Sequence, residues 1–125
     1  MPDPISDPLA RVRAIALKLP EAAERPSHGA PGFHIEGGRF FAHVWNDHHG
    51  DGEHAVMVKT SGQEEQAMLI EMDPDCYYQP AYLGPSGWVG MRIDRPDTDW
   101  DRIADRIATS WELVAPPRLL EAGGR

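Results

Sequence analysis

Apolar residues recur at helical spacing at Leu9, Val12, Ile15, Ala16 and Leu19. This predicts an amphipathic helix that opens on Ser6-Asp7 as capping residues with Pro8 in its first turn, and that Pro20 stops. From Gly32 the period falls to two. Phe33 and Ile35, a Glu36-Gly37-Gly38 turn, and then Phe40, Ala42 and Val44 alternating with Phe41, His43 and Trp45 predict a β-hairpin. The run 54–59 reads as a third strand, giving an antiparallel meander. Ser61-Gly62-Gln63-Glu64 fits a capping box, so a second helix is predicted to about Met72, where Asp73-Pro74 ends it. The stretch 76–84 is aromatic but interrupted by Pro80, hence extended or an edge piece, and 87–93 is a strand. Thr98 is predicted to cap a last helix with Trp100, Ile103, Ala104, Ile107, Ala108 and Trp111 on one face, ended by Pro116-Pro117.

Hairpin-joined strands with helices at the N-terminus, middle and C-terminus predict an α+β fold, a two-layer sandwich on an antiparallel β-sheet. With 125 residues, residues 1–125 are read as one domain with loose ends at 1–5 and 119–125. A chain of this size buries roughly two-thirds of its unfolded surface and needs no disulfide or structural metal.

Charge narrows the partners. Twelve Lys and Arg against twenty Asp and Glu leave a net charge of −8, which argues against a generic cationic binder of nucleic acid or anionic membranes. The excess is local, because residues 62–101 hold nine acidic and two basic groups. A neutral or basic face is therefore allowed elsewhere, built from Arg11, Arg13, Lys18 and Arg25, or from Lys59 and Arg92. Asp99 and Asp101 complement a helix dipole. The single cysteine, Cys76, forms no internal disulfide and no thiolate zinc site. The N-terminus lacks a signal-peptide or membrane-spanning pattern, so a cytoplasmic protein with no membrane partner is expected.

Candidate chemistry is sparse. The loop 46–54 gathers His48, His49 and His54 with carboxylates, weak candidates for a metal, but it matches neither HExxH nor an EF-hand and reads first as a solvated turn. No G-x-S-x-G elbow is present, Ser61 is explained as a cap, and Cys76 sits among aromatic and acidic residues that raise a thiol pKa. The glycines between 32 and 38 form no phosphate-binding loop, and Gly84-Pro85-Ser86-Gly87 reads as a turn. No catalytic residue and no cofactor are expected.

One feature stands above background. Strand alternation puts Trp88 and Arg92 on the side opposite Val89, Met91 and Ile93. The same rule places Phe41, His43 and Trp45, with Met57 and Lys59, on that side. Aromatic and basic groups on one face can stack planar ligands and neutralise an anion. The competing reading is that helices cover both faces and that Trp45 and Trp88 are plain core. A different possibility is a small-molecule or anion pocket lined by His28, Phe33, Tyr82 and Trp88.

The motifs Leu19-Pro20-Glu21-Ala22, His28-Gly29-Ala30-Pro31-Gly32-Phe33, Arg39-Phe40-Phe41-Ala42, Val58-Lys59-Thr60, Tyr82-Leu83-Gly84-Pro85-Ser86-Gly87-Trp88-Val89, Asp99-Trp100 and Ser110-Trp111-Glu112-Leu113-Val114-Ala115-Pro116 run through nearly the whole chain in order. In these it resembles the MmcQ/YjbR-like family of small bacterial proteins. The resemblance implies a frataxin-like (CyaY-like) sandwich, described as a double-wing arrangement, and a DNA-binding role assigned largely by structural analogy. The expected protein is thus a non-enzymatic binding module, a monomer or weak homodimer. It would contact nucleic acid weakly, or a small anionic ligand, through Lys59, Trp88, Arg92, Trp45 and His43.

Overall fold

Six strands form one antiparallel sheet: β1 (Ala22–Ser27), β2 (Ala30–Ile35), β3 (Phe40–Asn46), β4 (His54–Lys59), β5 (Tyr77–Tyr78) and β6 (Trp88–Arg92), in the spatial order β1-β2-β3-β4-β6-β5. These strands, and helices α1 (Pro8–Ala16), α2 (Gln63–Met72), α3 (Trp100–Val114) and α4 (Pro117–Glu121), belong to a computed structural model that describes residues 7–47, 50 and 52–121. The α+β class and the antiparallel sheet agree with the sequence pattern.

The meander is longer than its pattern predicts. β1 shows no alternation and contains Pro26, yet it lies at the sheet edge, where a missing N–H is tolerated. It turns into β2 through His28 (φ 52°) and Gly29 (φ 82°), a two-residue turn with both central residues left-handed, whose twist matches that of the strands.

Helix ends differ from expectation in detail. Asp7 caps α1, its carboxylate accepting from the Leu9 N–H (3.1 Å); Ser6 lies outside the described residues. α1 stops at Ala16, four residues before Pro20, where Leu19 N–H turns back to the Ala16 carbonyl. α2 opens on Gly62 without a side-chain cap, and it is Glu65, not Glu64, that reaches back to the Ser61 N–H (2.9 Å). Asp99 rather than Thr98 caps α3, accepting from Arg102 N–H, while the Thr98 hydroxyl serves the preceding turn at Arg95. After Pro116 the chain re-forms a short helix with Leu119 buried, so residues 119–121 are not a loose tail.

Among the described residues, the four α-helices lie on one side of the sheet. The main core joins Val12 and Ala16 of α1, Leu69 of α2 and Ile103, Ile107 and Trp111 of α3 to Phe33, Ile35, Phe41, Val44, Val56, Val58, Val89 and Met91 of the strands. Two polar links fix α3 to it. Trp111 Nε1 donates to the Pro20 carbonyl (3.0 Å), and the fully buried Ser110 donates to the Phe41 carbonyl (2.6 Å) while accepting from Lys59 N–H (2.9 Å).

Phe41 sits at a β-bulge. His34 pairs with Phe40 and Phe33 with Ala42, leaving Phe41 as the extra residue. Simple alternation places Phe40 inward and Phe41 outward; the bulge reverses the two. Phe41 is buried in the main core, and Phe40 joins His34 and His43 on the other face. Beyond the bulge, His43 and Trp45 point as expected.

Candidate functional site: the helix-free face of the sheet

The face away from the helices carries its own small cluster. Trp45, Ala55, Met57 and Trp88 pack together with Ala30, and Tyr78 and Leu83 lean against them, with no helical residue taking part. The tryptophans are therefore neither covered by helices nor open to solvent. Each keeps only 8% of its surface exposed and Met57 none. His43 lies among the rings, 5.4 Å from Trp88, 6.4 Å from Trp45 and 4.9 Å from Phe40 between centroids.

One cross-strand row shows how the face is built. Arg25, Gly32, His43, Met57, Gly90 and Tyr78 are successive register partners across all six strands. The two glycines are spaces for rings. A Cβ on Gly32 would sit 2.6 Å from Phe40 Cε1, and one on Gly90 would sit 2.5 Å from Tyr78 Cε1. Over each ring lies a guanidinium, Arg25 at 4.9 Å above Phe40 and Arg92 at 4.9 Å above Tyr78. Such stacking holds the cation by the negative face of the ring and leaves its edge free to donate. The glycine, ring and arginine order thus repeats at opposite ends of the row.

Among the described residues one carboxylate lies in a strand. That one, Glu24, turns to the helix side, where Arg13 grips it with two hydrogen bonds (2.6 and 2.9 Å) and holds its carboxyl below the usual range. The strand positions on the helix-free face offer Arg25, Lys59 and Arg92, with His34 and His43, and no acid. Arg92 is the most constrained: it pairs with Glu53 (2.5 Å) from the neighbouring loop and donates to the Pro74 and Asp75 carbonyls. Lys59 is half-buried beside its register partner Trp88.

At the β5 edge this face opens into a shallow groove of about 620 Å³ lined by Glu53, Tyr78, Gln79, Tyr82, Pro85 and Arg92, among others. Tyr82 stands out of it, 81% exposed, with its backbone in the left-handed region (φ 64°), an uncommon state for a bulky residue.

Five predicted contacts, Lys59, Trp88, Arg92, Trp45 and His43, do share this face. The pocket expected from His28, Phe33, Tyr82 and Trp88 does not form: Phe33 is fully buried in the main core, Trp88 belongs to the opposite face, His28 is the exposed tip of the β1–β2 turn and Tyr82 stands in the β5–β6 loop. Phe33 and Trp88 point to opposite faces of the sheet, which makes that set incompatible. Of the metal candidates, His48 and His49 lie outside the described residues, and His54 starts β4 opposite Asn46. Among the described residues no group of three or more His, Cys, Asp or Glu could hold a metal ion. Phe40 and Tyr78 were absent from the predicted contacts, and Arg25 was grouped with Arg11, Arg13 and Lys18 rather than with this face; the signal for the two rings is the glycine inside each paired strand, Gly32 and Gly90, which marks a close approach.

A second cleft, of about 530 Å³, lies on the helix side between the α2–β5 turn and the start of α3. Its ends are already paired. Arg102 donates to Asp73 (2.6 Å), which keeps that carboxyl below the ordinary range, and burial pushes the Cys76 thiol up, away from the reactive thiolate. Among the described residues no helix is long and apolar enough to cross a membrane.

The fold and this face define an α+β protein with its four described α-helices on one side of an antiparallel sheet and a ring-and-cation surface on the other. The chain belongs to the YjbR family, whose model matches residues 17–113. It is similar to the crystal structure of Deinococcus radiodurans protein DR2400, described as carrying a DUF419 domain, with a TM-score of 0.67 and 17% identity over 91% of this chain and 86% of that one. At that identity the likeness concerns the fold. No curated protein matches the chain.

Proposed function

We propose that the chain is a non-enzymatic binding module of the reducing cytoplasm whose helix-free sheet face contacts nucleic acid, the role the family resemblance implies. The observation that carries this reading is the absence of carboxylates from the strand positions of that face in a chain of net charge −8. No strand carboxylate on that face then repels a polyanion, and Lys59 and Arg25 meet phosphate without a competing acid in the strands. Trp45 and Trp88, each 8% exposed, serve as a platform rather than as stacking rings. Lys59 and Arg25 supply the phosphate contacts, and Arg92, already bound to Glu53, contributes less.

So few contacts mean weak, salt-sensitive association. With two phosphates neutralised, the affinity should fall with salt at a log–log slope of about −2 on duplex and about −1.4 on a single strand. Fluorescence anisotropy of labelled oligonucleotides over a salt series tests this. Lys59→Ala should reduce the slope by about one. Absence of saturable binding at low salt, or a slope that Lys59→Ala and Arg25→Ala leave unchanged, overturns the reading.

A further inference from the structure

We propose that the groove at the β5 edge takes one unpaired base, stacked on Tyr82, so that the protein prefers a single strand to a duplex; this rests on reading the helix-free face as a nucleic-acid surface. The groove joins that face directly, since Tyr78 and Arg92 belong to both. The loop backbone beside its exposed ring is anchored. Gln66, 5% exposed, donates from Nε2 to the Gly84 and Trp88 carbonyls (2.8 and 2.6 Å), Gln63 Nε2 donates to the Pro85 carbonyl (2.7 Å), and Thr60 Oγ1 donates to the Gly87 carbonyl (2.5 Å). Within the loop, Gly84 N–H returns to the Pro80 carbonyl (3.0 Å), and Pro80 and Pro85 restrict the chain on either side of Tyr82.

A ring carried on an anchored loop requires little backbone ordering when a planar partner covers it, and stacking on an aromatic face tolerates any base. The Gln79 amide, the Tyr78 ring and the Arg92 guanidinium line the same groove. Gln79 offers hydrogen bonds to a base edge, while Arg92, held by Glu53 and by the Pro74 and Asp75 carbonyls, forms a fixed wall of the groove. A base inside a duplex has both faces covered by its neighbours and cannot use Tyr82 without leaving the stack.

The experiment compares a short thymidine oligonucleotide, a hairpin duplex and free thymidine monophosphate by anisotropy and competition at low salt. The wild type should bind the single strand more tightly than the duplex. Tyr82→Ala should weaken the single strand about tenfold and leave the duplex unchanged, whereas Tyr82→Phe retains stacking and binding. Tyr82 is 81% exposed, and an unchanged thermal midpoint verifies folding of both variants. If both nucleic acids bind but Tyr82→Ala binds the single strand as well as the wild type does, the groove assignment fails while the surface reading stands. If neither binds, both fail. Monophosphate competing as strongly as the oligonucleotide would replace a strand with a free nucleotide as occupant.

Discussion

Ser110 Oγ lies 2.6 Å from the carbonyl oxygen of Phe41, the extra residue of the β3 bulge. A bulge leaves its residue outside the ladder, and this carbonyl is turned to α3, where a fully buried hydroxyl meets it and also accepts from the Lys59 N–H. Ser110→Ala leaves one acceptor and one donor buried without that partner. The expected loss is about 2 kcal/mol, from an unsatisfied-group cost of about 1–3 kcal/mol each partly relieved by relaxation. Urea unfolding measures it, and a loss below about 0.5 kcal/mol would show that the hydroxyl does not anchor the bulge.

Gly90 and Tyr78 make a second testable pair. Alanine normally improves a strand interior over glycine by roughly 0.5–1 kcal/mol. Here the added Cβ would lie 2.5 Å from Tyr78 Cε1, so the ring must move and surrender its place under Arg92. Gly90→Ala should therefore destabilise the wild type and become neutral or stabilising in a Tyr78→Ala background. Additive effects in that double-mutant cycle would mean that ring and glycine are independent.

The bulge also explains what could be read from the sequence. Strand identities at Phe33–Ile35, Phe40–Trp45, 54–59 and 87–93, and the helical stripe of α3, rest on periodicity, which is set by burial, and these elements form. The exchange of Phe40 for Phe41 could not be read, since one unpaired residue changes facing without changing composition. β1 was hidden because an edge strand is free to carry Pro26 and charged Glu24 and Arg25. The face around Lys59, Trp88, Arg92, Trp45 and His43 followed from alternation alone. Its burial did not, because the sequence does not reveal that two indoles and Leu83 close over Met57. The supposed pocket of His28, Phe33, Tyr82 and Trp88 failed because Phe33 and Trp88 take opposite faces of the sheet while His28 and Tyr82 sit in separate loops.

Acid should weaken the fold through identifiable carboxylates. Glu24 is held below its ordinary value first by its hydrogen bonds to Arg13, Asp73 first by its hydrogen bond to Arg102, and Glu65 first by the Ser61 N–H. A depressed folded-state pKa means the unfolded chain binds the proton more readily. The stabilisation is therefore complete above the unfolded value of about 4 and is lost as pH falls through the lower folded values. These pairs are partly exposed, so each contributes less than about 1 kcal/mol. Urea midpoints at about pH 7 and about pH 3 should differ less in Glu24→Gln than in the wild type. An unchanged difference would remove the Arg13 pair from the acid response.

Lys59 and Trp88 face each other across β4 and β6, yet their substitution should separate stability from binding. Trp88 is 8% exposed and supports Met57 and His43. Trp88→Ala removes a buried indole and should cost about 3 kcal/mol or more, so any loss of ligand there follows from a damaged platform. Lys59 keeps its backbone N–H bond to Ser110 whatever its side chain, and Lys59→Ala should change stability by no more than about 0.5 kcal/mol while weakening oligonucleotide binding and flattening its salt dependence. Measuring the urea midpoint and the anisotropy isotherm on both variants checks the division. If Lys59→Ala binds as tightly as the wild type across the salt series, the ammonium is not a phosphate contact and the cationic reading must rest on Arg25 alone.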